Sequence, residues 1–453
     1  MAKPIKLTVI GAGSAVFSLG LVKDVCLTPN LAGSSVAFMD IDEGRLDMIH
    51  KLAGRYAEEL GVKMTLEKTT DRREALQDAD FVINTAMVGG HEYLEAVRQM
   101  AKKHGFAGHA GGSSYHQFKL MMEVAHDIEE VCPNAWLIQS GNPVFAGTTL
   151  MTRHTGVKVI GLCHGHYGYR RIAELLGIDP DQVTWVAPGL NHLIWLTEFR
   201  HQGEDLYPMV DEWIANKSEE YWRDREANPD KYWVEDYMSR AVVDQYRRFG
   251  LLPVGDTTRG GGWWYKTYLE TRKYWYGPYG GFGSDLETPP RLARKKRQIA
   301  RIAEVATDTS KSVLEAYPPN KTREQQIPII DALTNDVAGQ FQINVPNKGV
   351  LPGVADDVVT EMPAIIDKGG IHPIKMQPLP KTIMLEVIQP CILSMEWDLE
   401  AYLTGDRRML LDGMLIISTY QSGSHTTSYQ QAVDFLEEYF SLPFNREMAE
   451  YFK

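Results

Sequence analysis

IKLTVIGAGSAVF, residues 5–17, joins an apolar run to a pair of closely spaced glycines. The apolar run predicts a buried strand, Ile5–Ile10, and the residues after the glycines predict the beginning of a helix. Glycines at such a turn let a pyrophosphate approach the backbone at the N-terminus of a helix. Val16 stands where the usual fingerprint has its third glycine, so a purely structural turn remains an alternative for this motif alone.

The sequence repeats this alternation of strand and helix as far as about Leu176. Such alternation is typical of a parallel sheet with crossover helices. Helices are predicted near Gly44–Leu60 and over Gln117–Val131, the second ending before Pro133. The sequence therefore predicts an α/β fold whose N-terminal domain, residues 1–178, is a Rossmann-type doubly wound parallel sheet. The predicted strands are Ile5–Ile10, Val36–Ile41, Met64–Lys68, Phe81–Thr85, Ala135–Gln139 and Lys158–Leu162.

An acidic residue, Asp40, closes the second predicted strand. In dinucleotide-binding folds a carboxylate at this position accepts hydrogen bonds from the ribose diol. With a strand, a glycine turn, a helix, a strand and an acid in this order, the N-terminal region predicts a dinucleotide site. The carboxylate favours NAD over NADP, although a basic residue nearby would reverse that preference.

The second half of the chain has longer segments that are rich in aromatic residues, such as Tyr221-Trp222 and Trp263-Trp264-Tyr265. We expect a mixed α/β domain for substrate binding and oligomerisation over residues 179–453, arranged as in lactate and malate dehydrogenases. Two stretches rich in Gly and Pro, Gly277–Pro290 and Asn344–Gly353, keep apolar and aromatic residues that a flexible linker lacks. They are predicted to be ordered loops over a site or a subunit contact.

The composition excludes several classes of partner. The chain has 453 residues, 44% of them hydrophobic, and a formal net charge of −12 at pH 7. This acidic balance, without a basic stripe, argues against a nucleic-acid partner. No apolar run approaches the roughly 18 residues that span a bilayer, so we expect no membrane partner and a cytoplasmic location. The four cysteines are scattered without paired spacing, which argues against a disulfide framework.

Residues with metal-binding and polar side chains follow the predicted strands at their carboxyl ends, where ligands gather in open α/β sheets. Cys163 and His164 follow the sixth strand, Asn142 follows the fifth, and His192 lies in the segment Pro188–Leu193. Cys163 and His192 would supply two ligands to a divalent ion and leave positions for substrate oxygens and water. A lone cysteine after an apolar strand is also common as buried filler, so that alternative stays open.

Taken with further motifs, these residues resemble the family 4 glycoside hydrolases, an NAD- and divalent-metal-dependent group. The resemblance covers almost the whole chain. It implies a glycosidase that uses NAD and a divalent metal, usually manganese, and we expect a homodimer or homotetramer. The motifs that carry it are Gly11-Ala12-Gly13-Ser14, Asn84-Thr85-Ala86, Gly141-Asn142-Pro143, Cys163-His164-Gly165, Gly189-Leu190-Asn191-His192, Leu252-Pro253-Val254-Gly255-Asp256 and Asn344-Val345-Pro346-Asn347.

The resemblance also implies roles for individual residues. Cys163 and His192 would hold the metal, and Asn142 would lie beside both cofactor and substrate. Members that act on 6-phosphorylated sugars usually carry Asn or Asp after the metal cysteine, whereas this chain has His164-Gly165. The chain is therefore most similar to the α-glucuronidases and α-galacturonidases, which act on unphosphorylated α-linked uronic acids. The residues expected to contact NAD are Gly11, Gly13, Ser14, Ala15, Val16, Phe17, Asp40, Asn84, Ala86 and Asn142.

The reaction implied by the resemblance is a redox-assisted elimination, an exception to two-carboxylate glycosidase chemistry. NAD takes hydride from C3 of the sugar while the metal stabilises the resulting ketone, which makes the C2 proton acidic. A base removes that proton, the glycosidic oxygen leaves, water adds and the hydride returns. Asp256, where many phosphoglycosidases of the family carry a tyrosine, is the first choice for this base, and His164 and a metal-bound hydroxide are the alternatives. His164 would also protonate the leaving oxygen or support the metal site from outside.

Candidates for holding a substrate carboxylate are Arg259, the glycine run 260–262 and His109, since a guanidinium binds carboxylates in bidentate fashion. Asp256 has a structural alternative, in which it caps a helix or pairs with Arg259. The expected substrate is an α-galacturonide or α-glucuronide, either a small molecule or an oligosaccharide. The alternatives are an α-glucosidase or α-galactosidase of the same family, a lactate- or malate-type dehydrogenase, and a non-catalytic NAD-sensing protein.

Overall fold

The computed structural model describes residues 3–106, 114–163, 165–229, 237–260, 262–420 and 428–453, apart from the side chains of residues 263 and 416–420. Within these ranges the strands and helices follow one another along the chain. The strands are β1 (Lys6–Ile10), β2 (Ser35–Met39), β3 (Thr65–Thr69), β4 (Phe81–Asn84), β5 (Trp136–Gln139), β6 (Lys158–Gly161), β7 (Val183–Val186), β8 (Gly189–Leu190), β9 (Leu193–Trp195), β10 (Glu198–His201), β11 (Glu204–Asp205), β12 (Pro253–Val254), β13 (Gly339–Pro346), β14 (Val359–Asp367) and β15 (Gly370–Pro373).

The α-helices of the same ranges differ widely in length, and a π-helical segment, Met384–Ile388, lies between two of them. They are α1 (Ala15–Cys26), α2 (Glu43–Leu60), α3 (Arg72–Leu76), α4 (Gly90–Lys103), α5 (Tyr115–Val131), α6 (Val144–His154), α7 (Gly168–Leu175), α8 (Tyr207–Asn216), α9 (Ser218–Ala227), α10 (Arg240–Phe249), α11 (Leu269–Tyr276), α12 (Thr288–Thr307), α13 (Val313–Ala316), α14 (Gln326–Asn335), α15 (Lys381–Ile383), α16 (Gln389–Thr404), α17 (Arg407–Tyr420), α18 (Tyr429–Ser441) and α19 (Arg446–Tyr451).

The N-terminal strands form a parallel sheet in the order β3-β2-β1-β4-β5-β6. This is the strand order of the Rossmann fold, so the predicted fold class is confirmed. All six predicted strands are present, with ends that differ from the prediction by one or two residues. The strands could be predicted because a parallel sheet is covered on both faces and its strands are nearly continuous apolar runs. Leu7, Val9 and Ile83, for example, are fully buried.

The same sheet continues beyond β6 into the second half of the chain. β13 lies next to β6, with Asn344 paired to Gly161, and its other neighbour is the antiparallel strand β14. Strands β8, β9 and β12 complete that edge, and β7, β10 and β11 form a separate three-stranded sheet. The expected mixed α/β character of the second half is therefore present. The domain boundary after residue 178 stays a prediction, since one sheet spans both halves.

The two predicted loops were partly wrong. Asn344–Pro346 form the end of β13, because the long strand pairs with β14 over its whole length. Pro289 and Pro290 belong to the first turn of α12, where proline is well tolerated because the N–H groups of that turn have no partner within the helix. Within the described ranges, no helix has both the length and the apolar character needed to cross a membrane.

Candidate active site

Cys163 and His192 lie next to each other at the carboxyl edge of the sheet. Cys163 follows β6, and its Sγ is 3.9 Å from Nε2 and 4.0 Å from Nδ1 of His192. His192 occupies the two-residue turn between β8 and β9, with a φ of 67°. Of the two central residues of this turn only His192 has a positive φ, which is the pattern of a type II turn. The sheet topology thus brings together two residues that the sequence predicted to share a site.

Asp256 also contacts the His192 ring, at Nδ1. It belongs to a 3₁₀ segment, Gly255–Arg259, that directly follows β12, the strand paired with β9. Its Oδ2 is 2.8 Å from Nδ1 of His192, and its Oδ1 forms an ion pair with Arg259. The pairing with Arg259 that the sequence left as a structural alternative is therefore present. The contact with His192 brings the carboxylate to the candidate metal centre as well.

These contacts act on the pKa of His192 in opposite directions. Burial of the ring lowers the pKa, but the hydrogen bond to Asp256 and the contact with Cys163 raise it, and they prevail. The pKa of His192 therefore lies well above its ordinary value, because Asp256 and Cys163 both favour the protonated ring. A divalent metal would compete with that proton for the same ring.

The donor atoms fit a divalent transition metal. Typical zinc bonds are about 2.3 Å to sulfur and about 2.1 Å to imidazole nitrogen, so a single ion can reach two atoms that are 3.9 Å apart. Thiolate and imidazole are donors that such metals accept. In the described ranges, no group of three or more His, Cys, Asp or Glu side chains is arranged to hold an ion. Cys163 and His192 therefore remain the candidate pair.

Gly255 sets the position of Asp256. Its φ is 59°, and a Cβ at this position would stand against the carbonyl oxygen of Gly165. We expect Gly255→Ala to lower the free energy of unfolding by about 1–3 kcal/mol and to lower activity, because Asp256 must shift with its neighbour. Chemical denaturation measures the first effect. Gly177→Ala is the matched control, since Gly177 has a φ of 78° but open space around it, and only the backbone strain should remain.

A buried polar network beneath His192 was missed by the sequence reasoning. Nδ2 of Asn191 donates to Oε2 of Glu361 at 3.0 Å, and Nε2 of Gln342 donates to the backbone oxygen of Ala187 at 2.7 Å. Glu361 is 1% exposed, and burial raises its pKa to about 7. A signal was present, because Gln342 and Asn344 stand among the apolar residues of β13 and Glu361 stands among those of β14. The network fixes the turn that carries His192.

The glycine turn after β1 has the tight backbone geometry that a dinucleotide site requires. Gly11 has a φ of 83°, and a Cβ there would lie 2.6 Å from the backbone of Ala86. The N–H of Gly13 donates to Oδ2 of Asp40 at 2.7 Å, and Oδ1 of Asp40 accepts from the N–H of Asp42 at 2.9 Å. The carboxylate expected to bind a ribose thus also holds the turn in place.

The helix that follows this turn, α1, begins at Ala15, so Ser14 stands just before it and Ala15, Val16 and Phe17 form its first turn. The first N–H groups of a helix lack partners within it and attract anions. Val16 is 47% exposed at this end. The space in front of α1 can therefore accommodate a pyrophosphate.

Two asparagines complete the cofactor set, at the ends of β4 and β5. The Asn84 side chain is buried. It donates to Gln139 at 3.0 Å and accepts from the N–H of Ala86 at 3.2 Å. It therefore stabilises the loop after β4 and does not project from it. Asn142 is exposed. Gln117, which the sequence reasoning missed, donates to the backbone oxygen of Asn142 at 2.7 Å and ties this loop to α5.

Two predicted residues, His109 and His164, lie outside the described residues. Arg259 lies within them, and its guanidinium carbon stands 4.0 Å from the ring centre of Phe282 as well as beside Asp256. Cys163, His192, Asp256 and Arg259 therefore form one continuous group. The predicted cofactor residues form a second group around the glycine turn.

The strand order and the glycine turn define the class: an α/β protein of the dinucleotide-binding type, with a thiol, an imidazole and a carboxylate at one sheet edge. Comparison with known proteins specifies it further. The chain belongs to the family 4 glycosyl hydrolases, because the family model "Family 4 glycosyl hydrolase" matches residues 6–178 and the model of the C-terminal domain of that family matches residues 187–417. The family predicted from the sequence is thus confirmed.

Individual relatives differ in their substrates. An α-galactosidase of Bacillus subtilis is 27% identical over 83% of this chain and 85% of its own length. An α-galacturonidase of Lachnoclostridium phytofermentans is 24% identical over 90% of each chain. A 6-phospho-α-glucosidase from gut microorganisms, solved in complex with NAD and Mn²⁺, has a TM-score of 0.78 at 19% identity and covers 98% of this chain and 99% of its own. The last likeness concerns the fold alone.

Proposed function

We propose that this protein is an NAD- and divalent-metal-dependent glycosidase that cleaves α-linked uronic acids, an α-galacturonide or an α-glucuronide. The observation that supports it most is the distance of 3.9 Å between Cys163 Sγ and the His192 ring, with Asp256 at 2.8 Å from Nδ1 of the same ring. In a family 4 glycosyl hydrolase this group offers two metal ligands and a base at one sheet edge. The cytoplasmic location and the homo-oligomeric state stay predictions.

The roles of the residues follow from their positions. Cys163 and His192 would hold the metal, and the glycine turn with the first turn of α1 would hold NAD, opposite Asp40. When bound, NAD supplies a reversible hydride acceptor, and the metal supplies a Lewis acid for the sugar oxygens. Asp256 takes the proton from C2 of the sugar, and its ion pair with Arg259 orients the carboxylate.

Two features favour a uronide over other sugars. The sequence His164-Gly165 after Cys163 departs from the pattern of members that act on phosphorylated sugars. Basic side chains also lie close to the candidate base, with Arg259 beside Asp256. The curated relatives include α-galactosidases as well as α-galacturonidases, so a neutral α-galactoside is the competing substrate.

A substrate panel tests this proposal. The p-nitrophenyl α-glycosides of glucuronic acid, galacturonic acid, glucose and galactose are assayed with NAD, Mn²⁺ and a thiol reductant. We expect a uronide to have the highest kcat/KM, with no net accumulation of NADH. A higher kcat/KM for the neutral galactoside would overturn the uronide assignment, and stoichiometric NADH would favour the dehydrogenase alternative.

A further inference from the structure

Lys266 is a half-buried cation without a counter-ion. In the part of the chain that the structure describes, no carboxylate forms an ion pair with its ammonium group, and no hydrogen bond is made by it. Lysines are rarely buried unless they are paired, because removing a charge from water is costly. A half-buried lysine without such a partner, at a site that binds small molecules, is a candidate to bind an anionic group of a ligand.

The charged neighbours of Lys266 make its position less favourable still. Burial, followed by the positive charges of Arg272 and Arg259, lowers the pKa of Lys266 to about 7, so its charged form is disfavoured unless an anion joins it. Both arginines are engaged elsewhere. Arg259 pairs with Asp256, and Arg272 donates to the backbone oxygens of Gly280 and Phe282 at 2.8 and 2.9 Å. Of these three basic side chains, Lys266 is therefore the one that can bind an anionic ligand.

The backbone at Lys266 is held firmly in this position. Tyr265, the preceding residue, is fully buried, and its hydroxyl donates to Asp244 of α10. Arg272 lies on α11, which begins three residues after Lys266 and packs against α10. Lys266 is thus placed by two packed helices, unlike a lysine on a mobile surface segment.

The location of Lys266 connects it to the candidate active site. Tyr265, the residue before Lys266, packs against Tyr276 with ring centres 6.4 Å apart, and the Tyr276 hydroxyl donates at 3.0 Å to the backbone oxygen of the residue before Arg259. Arg259 binds Asp256, and Asp256 binds His192, the candidate metal ligand. An ammonium group beside Arg259 therefore stands on the flank of the group that would act at C2 of the sugar. A charged substituent on that sugar would need such a partner when it leaves water.

We propose that Lys266 binds the anionic substituent of the substrate and so selects acidic glycosides over neutral ones. This inference rests on the proposed function. The sequence assigned that role to Arg259 and His109, but Arg259 already has Asp256 as its partner, whereas Lys266 has none among the residues that the structure describes. The shared chemistry is an anionic oxygen group, a carboxylate or a phosphate, and the test separates the two.

The experiment measures binding of free sugars to the protein loaded with NAD and Mn²⁺, by calorimetry, so that it does not depend on turnover. The ligands are galacturonate, glucuronate, galactose and galactose 6-phosphate, and the proteins are the wild type, Lys266→Met, Lys266→Arg and Lys273→Met. Lys273 is the control because it lies on α11 and pairs with Glu270 at 2.9 Å. Loss of a hydrogen bond to a charged group corresponds to about 10- to 100-fold in affinity.

We expect Lys266→Met to weaken the preferred acidic sugar by that factor and to leave galactose unchanged. Lys266→Arg should keep part of the preference, and Lys273→Met should behave as the wild type. The melting temperature of Lys266→Met should equal or exceed that of the wild type, because an unpaired cation is removed. A preference for galactose 6-phosphate over the two uronates would assign the site to a phosphate.

Two results would overturn the proposal. One is an equal loss of affinity for acidic and neutral sugars in Lys266→Met, and the other is no loss for either. The proposed function fails separately, if the wild type hydrolyses neutral glycosides faster than uronides. Binding of a sugar acid that depends on Lys266 in such a protein would leave the role of Lys266 intact.

Discussion

Asp256→Asn is expected to lower the rate of glycoside hydrolysis by about 10²- to 10⁴-fold, the usual contribution of a positioned base. Asparagine keeps the shape of the side chain but cannot take a proton. The ion pair with Arg259 and the contact with His192 at 2.8 Å hold the carboxylate in position. An asparagine of the same shape should therefore not restore activity. The rate is measured with the uronide that the substrate panel selects.

The decisive readout for this variant is exchange at C2. A substrate deuterated at C2 should stop losing its label to solvent in Asp256→Asn, while NAD binding and the melting temperature stay close to those of the wild type. Asp211→Asn is the control, since Asp211 accepts a hydrogen bond from Tyr246 at 2.8 Å on the surface. Near-normal exchange in a folded Asp256→Asn protein would remove Asp256 from this step and turn attention to His164.

The parts of the fold that could be predicted are those with local signals. Strands β1, β2 and β4 to β6 are short and mostly apolar, and the glycine turn before α1 marks one strand end, whereas β3, at the edge of the sheet, has the mostly polar sequence TLEKT. The end of β13 was missed because Asn344 and Pro346 read as loop residues. Only the pairing with β14, the next strand along the chain, and with β6, which is remote in sequence, makes that segment a strand.

The candidate site, too, has parts that could be predicted from the sequence and parts that could not. Cys163 could be placed in advance because it follows a predicted strand, whereas its pairing with His192 came from the metal-binding chemistry of the two side chains and from the family resemblance. The bond from Asn191 to Glu361 joins residues 170 positions apart, and no pattern in the sequence links them. Lys266 could not be identified from the sequence either, because the partners of a lysine can be recognised only in the folded structure.

Removal of the divalent metal is expected to abolish hydrolysis, and Mn²⁺ should restore it, because the proposed chemistry requires a Lewis acid at Cys163 and His192. Cys163→Ser should weaken Mn²⁺ binding by at least the roughly 10- to 100-fold that loss of an outer partner causes at metal sites. Equilibrium dialysis measures this affinity without turnover. A chelator that leaves full activity would refute the metal requirement.

The cysteine that controls for this effect is Cys132. It is buried, and burial raises the pKa of its thiol to about 11, so it is protonated at neutral pH and does not offer a thiolate to metal or oxidant. Cys132→Ser should therefore leave Mn²⁺ affinity unchanged. Mild oxidation should silence the wild type and the Cys132→Ser protein alike and reversibly, because a sulfenic acid or mixed disulfide at Cys163 is a poorer ligand than the thiolate. Normal Mn²⁺ affinity in Cys163→Ser would instead show that the short distance between Cys163 and His192 reflects packing alone.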